Sequence, residues 1–142
     1  LSELKLLVEN FVKKKWIKAY FYVFEIRKAP DHGLHWHCML NYNGRPYDTK
    51  RSIKKYFQNV CLSDLDNCCC IRFPPESIVP DKINYALGNK TDTKISGVKA
   101  TKIYRKANNL KEYYESSPPL TCRATANSNL LEEPRLPMIE EV

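Results

Sequence analysis

The sequence of 142 residues predicts an α+β fold, a central antiparallel β-sheet flanked by helices. Two runs dense in aromatic and β-branched residues, "IKAYFYVFEI" and "LHWHCMLNY", bracket Pro30, Asp31 and Gly33, which is the signature of a hairpin. Before and after that hairpin, apolar residues recur at helical spacing. No apolar run is long enough to cross a bilayer, so a membrane partner is not expected.

The elements follow in order. "LSELKLLVENFVKKKW" sets Leu4, Leu7, Val8, Phe11 and Val12 on one helical stripe, with Ser2 as a plausible cap. The first strand is expected from Lys18 to about Ile26 and the second over "LHWHCMLNY". "NGRPYD" reads as a loop, and "TKRSIKKYFQNV" as a helix built on Ile53, Tyr56, Phe57 and Val60. "DNCCCIRFPP" reads as a strand stopped by Pro74 and Pro75. "PDKINYALGNK" reads as a short helix that Asp81 could cap and Gly88 could end. "SGVKATKIYRK" is expected as a last strand and "NNLKEYYESS" as a terminal helix. The Pro, Ser and Asn content beyond Ser117 suggests a domain over 1–116 and a flexible tail over 117–142.

Net charge is +7. Residues 117–142 hold two Arg against four Glu, so the first 116 residues carry a net +9. That excess suits a polyanion, most simply nucleic acid, although a basic solvated surface without a partner gives the same total. Six cysteines stand without a signal-peptide pattern or spaced pairing, and the chain opens on Leu1 rather than Met, as in a fragment. The run Cys68-Cys69-Cys70 cannot make a CxxC zinc knuckle, so reduced thiols packed in a strand, and a cytoplasmic protein, are expected.

All three histidines, His32, His35 and His37, fall within six residues. Alternation along a strand points His35 and His37 to one face and buries Trp36 on the other. If the hairpin turns about Asp31, Glu25 stands opposite His37 on the same face. Two imidazoles and a carboxylate suit a divalent ion with open positions, Mn²⁺ or Mg²⁺. An HxH pair is also common on ordinary half-exposed strands. His32 falls in the turn and is the weaker ligand. A Lewis acid there would polarise a phosphodiester, and Tyr85, on the short helix with Lys90 behind it, is the candidate nucleophile. With nine tyrosines in the chain, a packed aromatic is the plain alternative for Tyr85.

"HWH" on a strand and a tyrosine on a later helix resemble the HUH endonuclease superfamily. The closer likeness is to replication initiators of filamentous phages, over residues 1 to 105. It rests on a Lys-rich helix, an aromatic strand ending in Glu ("YFYVFEI"), a histidine strand ending in Asn ("HWHCMLNYN"), a Tyr leading into "YALGNKTDTK", and "SGVKATKIYRK" as a following strand. The resemblance implies an enzyme that nicks one DNA strand at an origin, stays on the 5′ phosphate through tyrosine, and starts rolling-circle replication. It implies His35, His37 and Glu25 as metal ligands and Tyr85 as nucleophile. The family places a lysine three residues after the tyrosine, where this chain has Gly88. Either Lys90 folds back or Lys82, one turn earlier, takes that part, and Tyr104 is a rival nucleophile. Tyr113 and Tyr114 read as helix-packing residues.

Lys50, Arg51, Lys54 and Lys55 on the second helix, and Lys99, Lys102, Arg105 and Lys106 later, are candidate phosphate contacts. Tyr42 and Tyr47 could stack on unpaired bases. The expected partners are single-stranded or origin DNA and a host or replicon helicase and polymerase, since the chain has no GxxxxGK[ST] loop of its own. The expected place of action is a bacterial host cytoplasm, or a host nucleus for a eukaryotic virus. A transposase or relaxase of the same superfamily, a non-catalytic nucleic-acid-binding module and a small zinc protein are the competing readings.

Overall fold

The computed structural model describes residues 1–26, 34–58, 69–74, 76–89, 95–120 and 138–141. In chain order the elements are α1 (Ser2–Phe11), β1 (Ile17–Ile26), β2 (Leu34–Tyr42), α2 (Pro46–Phe57), β3 (Cys69–Arg72), a 3-10 turn (Glu76–Ile78), α3 (Val79–Ala86), α4 (Ile95–Ala107), β4 (Tyr114–Glu115) and β5 (Met138–Glu141). The strands form one sheet in the order β3-β5-β2-β1-β4, and every pairing is antiparallel. The α+β class read from the sequence therefore holds. Among the described residues no helix is long and apolar enough to cross a membrane.

Period-two alternation divides the core between the two faces of the sheet. Tyr22, Phe24, Trp36, Cys38 and Leu40 face Val8, Phe11 and Val12 from the first helical segment and Ile53 and Phe57 of α2. Phe21, Val23 and Met39 face Val79, Ile83 and Ala86 of α3, together with Leu120. A register shift between Ile17 and Ala19 sends these two odd-numbered residues to opposite layers. Phe11 sits at the centre of the first layer, edge-on to Trp36 at 6.0 Å and to Phe57 at 4.9 Å between ring centroids. Each large apolar side chain buried there contributes about 1.5–3 kcal/mol relative to exposure.

Several boundaries differ from the sequence reading. Ser2 lies inside α1 and makes no capping bond, the cap position being Leu1. α2 begins at Pro46, within the segment read as a loop. Proline's fixed φ suits the first helical turn, and Arg45 before it is extended. Asp81 falls in the first turn of α3 rather than at its cap. Gly88 does end that helix. Its φ of +104° lets its N–H reach the Tyr85 carbonyl while the Asn89 N–H reaches that of Asn84, a Schellman closure.

Two elements have the opposite type to that expected. "SGVKATKIYRK" lies in the helix α4, not a strand. Its β-branched content suggests extension, but Thr101 and Arg105, four residues apart, both turn inward on β1. The segment after it is not helical: it turns at Asn108 and Asn109 and then forms the short strand β4. Tyr113 and Tyr114 point to opposite faces, Tyr113 stacking on Phe21 at 5.3 Å and Tyr114 on Tyr22 at 4.9 Å. The tail expected from residue 117 also needs correcting. Leu120 is buried, and Met138–Glu141 form the strand between β3 and β2, so the domain extends past residue 116.

Candidate metal centre

The β1–β2 ladder places Glu25 opposite His35 and Val23 opposite His37. The expected pairing of Glu25 with His37 is thus displaced by two residues. Because the side-chain period is also two, all three groups keep one face. Trp36, between the histidines, is fully buried in the other layer. Glu25 Oε2 lies 3.2 Å from His35 Nε2 and 3.1 Å from His37 Nε2. The imidazole centroids are 4.9 Å apart and the rings nearly perpendicular, at 85°. Glu25 is 4% exposed and His35 6%, while the His37 side chain is 20% exposed, so the group opens to solvent on the His37 side.

One ligand atom from each residue lies within 4.8 Å of the other two, so Glu25, His35 and His37 could hold a metal ion. The donor set fits. Two imidazole nitrogens and one carboxylate oxygen give three protein ligands, which leaves positions for water or substrate oxygens. His35 Nδ1 is buried without a hydrogen-bond partner among the described residues. Nε2 is the His35 nitrogen that faces Glu25 and the shared site.

α4 completes the edge of β1 around Glu25. β4 pairs with β1 at Phe21 and Tyr22, and Ser116 extends the contact by bonding both backbone groups of Tyr20. Toward Glu25 no strand continues this ladder among the described residues. Arg105 Nε donates to the Phe24 carbonyl at 2.9 Å. Thr101 Oγ1 accepts from the Ile26 N–H and donates to the Ile26 carbonyl, both at 3.2 Å. Four residues of helix rise about 6 Å and two residues of strand about 6.6 Å, so the two spacings match. Glu25 thus sits between two backbone positions pinned by α4. Burial lowers the Arg105 pKa from its ordinary value, and the Glu25 carboxylate acts against that shift.

A cleft lies beside this group, lined by Glu25, by Ala86, Leu87 and Gly88 at the end of α3, and by Val98, Thr101, Lys102 and Arg105 of α4. Tyr85 precedes this lining by one residue. It is half-buried beside the inward stripe Val79, Ile83 and Ala86. Lys82 is half-buried one turn earlier, and Lys90 and His32 lie outside the described residues. Tyr104, the rival nucleophile, is half-buried on α4, and burial raises its pKa, which disfavours its phenolate.

The two basic clusters part company. α2 packs on the Trp36 layer, so Lys50, Arg51, Lys54 and Lys55 belong to the side of the sheet away from Glu25. Lys99 and Lys102 are exposed on α4. Arg105, expected as a surface contact, is 8% exposed and bonded to β1. Tyr42 is buried rather than exposed, whereas Tyr47 is 74% exposed. Of the cysteines, Cys38 is a free thiol, and burial pushes its pKa well above the ordinary value. The sequence reading missed the part of Thr101. Its signal was the i, i+4 spacing with Arg105, hidden once the segment was taken as a strand.

No family model matches the chain, and neither a curated protein nor a solved structure does.

Proposed function

We propose that the protein is a metal-dependent DNA nicking and joining enzyme of the HUH type, acting at the start of rolling-circle replication of a phage, plasmid or viral single-stranded genome. The observation that carries this reading is the convergence of Glu25, His35 and His37 on one face of a hairpin. A bound divalent ion, Mn²⁺ or Mg²⁺, would polarise the scissile phosphate. The chain's own residues do the rest. Glu25, His35 and His37 fix the place of reaction. Tyr85 stands on α3 one residue before the lining of the cleft that Glu25 shares. Tyr85 gives up its phenol proton to solvent, Oη attacks phosphorus, the bond from phosphorus to the 3′ oxygen breaks, and the 3′ oxygen takes a proton from water to leave as a hydroxyl. The 5′ phosphate stays on Tyr85, which conserves the bond energy for rejoining. Lys82 or Lys90 would stabilise the phenolate. The DNA is single-stranded at the site, a helicase and a polymerase come from the host or replicon, and the bacterial cytoplasm is the natural setting.

The test is a denaturing gel with single-stranded oligonucleotide pools. A slow-migrating protein–DNA adduct is expected with Mn²⁺, and none with EDTA or with Tyr85→Phe. An adduct that persists in Tyr85→Phe moves the nucleophile to Tyr104. Salt-sensitive binding without any adduct replaces the enzyme by a binding module.

A further inference from the structure

Arg105 raises a question that the metal centre leaves open. A guanidinium carries five N–H donors. In this one Nε serves the Phe24 carbonyl, and that is its one hydrogen bond among the described residues. The side chain is nonetheless buried, and it lines the cleft next to Glu25. Its other four donors, on Nη1 and Nη2, are not among the buried polar atoms left without a partner in the described residues, so they reach solvent at the cleft and are available to a ligand there. Lys102 lines the same cleft three residues earlier on α4, one helical turn away and on the same side. Two cations therefore border this space. The one carboxylate there, Glu25, already has both imidazoles within hydrogen-bond distance of its Oε2.

We infer that the cleft between the end of α3 and α4 is an anion subsite, in which Arg105 and Lys102 hold one non-bridging oxygen of a nucleic-acid phosphodiester. This rests on the proposed function for the identity of the ligand, not for the existence of the site. Its size sets the mode of binding. The cleft is half open, and its inner space of about 10 Å³ is the room that one water or one phosphate oxygen takes. The rest of the phosphate faces the open side. An arginine fork matches two phosphate oxygens, whereas a lysine acts as a point charge, so the two residues differ in what they supply. Gly88 closes one wall with its backbone. A Cβ there would stand 3.2 Å from Val98 Cγ1 and narrow the space. The subsite adjoins Glu25, so a phosphate held there lies beside the metal ligands.

The test is fluorescence anisotropy of a labelled single-stranded 12-mer in EDTA, so that no cleavage can occur. Lys102→Ala is expected to bind about tenfold more weakly, with the log-affinity against log-salt slope reduced by about 0.7. Arg105→Lys, checked for folding by circular dichroism, is expected to weaken binding as well. Lys5→Ala, on α1 at the other side of the sheet, should stay within about twofold. Inorganic phosphate should compete for the wild type and not for Lys102→Ala. The inference is overturned if Lys102→Ala binds like wild type, or if Lys5→Ala loses as much. Phosphate competition without any change in DNA affinity would make the site one for free phosphate, which also overturns it. Failure of the nicking reaction leaves this result standing, because the assay needs neither metal nor cleavage. Adduct formation with unchanged affinity in Lys102→Ala would sink the subsite alone.

Discussion

Glu25 and His37 are twelve residues apart in the chain and 3.1 Å apart in space. The hairpin brings them together, and at 4% exposure the Glu25 carboxylate is kept tolerable by the two imidazoles within hydrogen-bond distance and by the Arg105 cation. Glu25→Gln retains the shape and loses the charge. Its Mn²⁺ affinity, read by calorimetry, should fall by more than the roughly 10–100-fold that losing an outer partner of a metal ligand costs. The residues of this group were legible in the sequence although their pairing was not. An error of two in register leaves every side chain on its face, whereas an error of one would have sent Glu25 to the other side. Arg105 was not legible in the same way. Its type suggested phosphate at the surface, and only the partner at Phe24 reveals a buried anchor.

Elements were legible where one signal dominated. β1 and β2 combine β-branched and aromatic residues over nine or ten positions, and the expected spans match to within a residue. α4 misled because Ile95, Val98, Thr101 and Ile103 favour extension locally, and its helical form depends on what Thr101 and Arg105 meet on β1. The stretch after it misled in the opposite sense. Leu110, Tyr113 and Tyr114 have helical spacing, but stacking on Phe21 and Tyr22 straddles both faces of a strand edge. Thr101→Val tests the anchoring. It removes the partner of both Ile26 backbone groups, and urea denaturation should show a loss of about 1–3 kcal/mol. If stability is unchanged, α4 is held by packing alone.

At the scale of the molecule, the sheet separates a layer of aromatic and aliphatic side chains under α1 and α2 from the face that carries Glu25, His35 and His37. β5 lies between β3 and β2, so removing residues 138–141 takes a ladder from each. That deletion should abolish cooperative urea unfolding or bring aggregation, because two edges are left open. The pH response follows from the buried acids. Burial raises the pKa of the Cys38 thiol above its ordinary 9.0 and that of the Tyr22 phenol above its ordinary 10.0. Below about pH 8 both are protonated in either state, and nothing is lost. Above it the unfolded chain releases protons that the folded chain keeps, so stability falls as pH rises. The urea midpoint should therefore drop between about pH 8 and 11. A flat or rising profile would contradict the burial of these groups. The central claim is that Glu25, His35 and His37 form one divalent-metal site, and Mn²⁺ binding followed by electron paramagnetic resonance tests it most directly. One tightly held ion per chain, lost in both His35→Ala and His37→Ala while the circular dichroism is preserved, is the predicted result. Mn²⁺ that stays free in the wild type, or binds equally well in both variants, would contradict it.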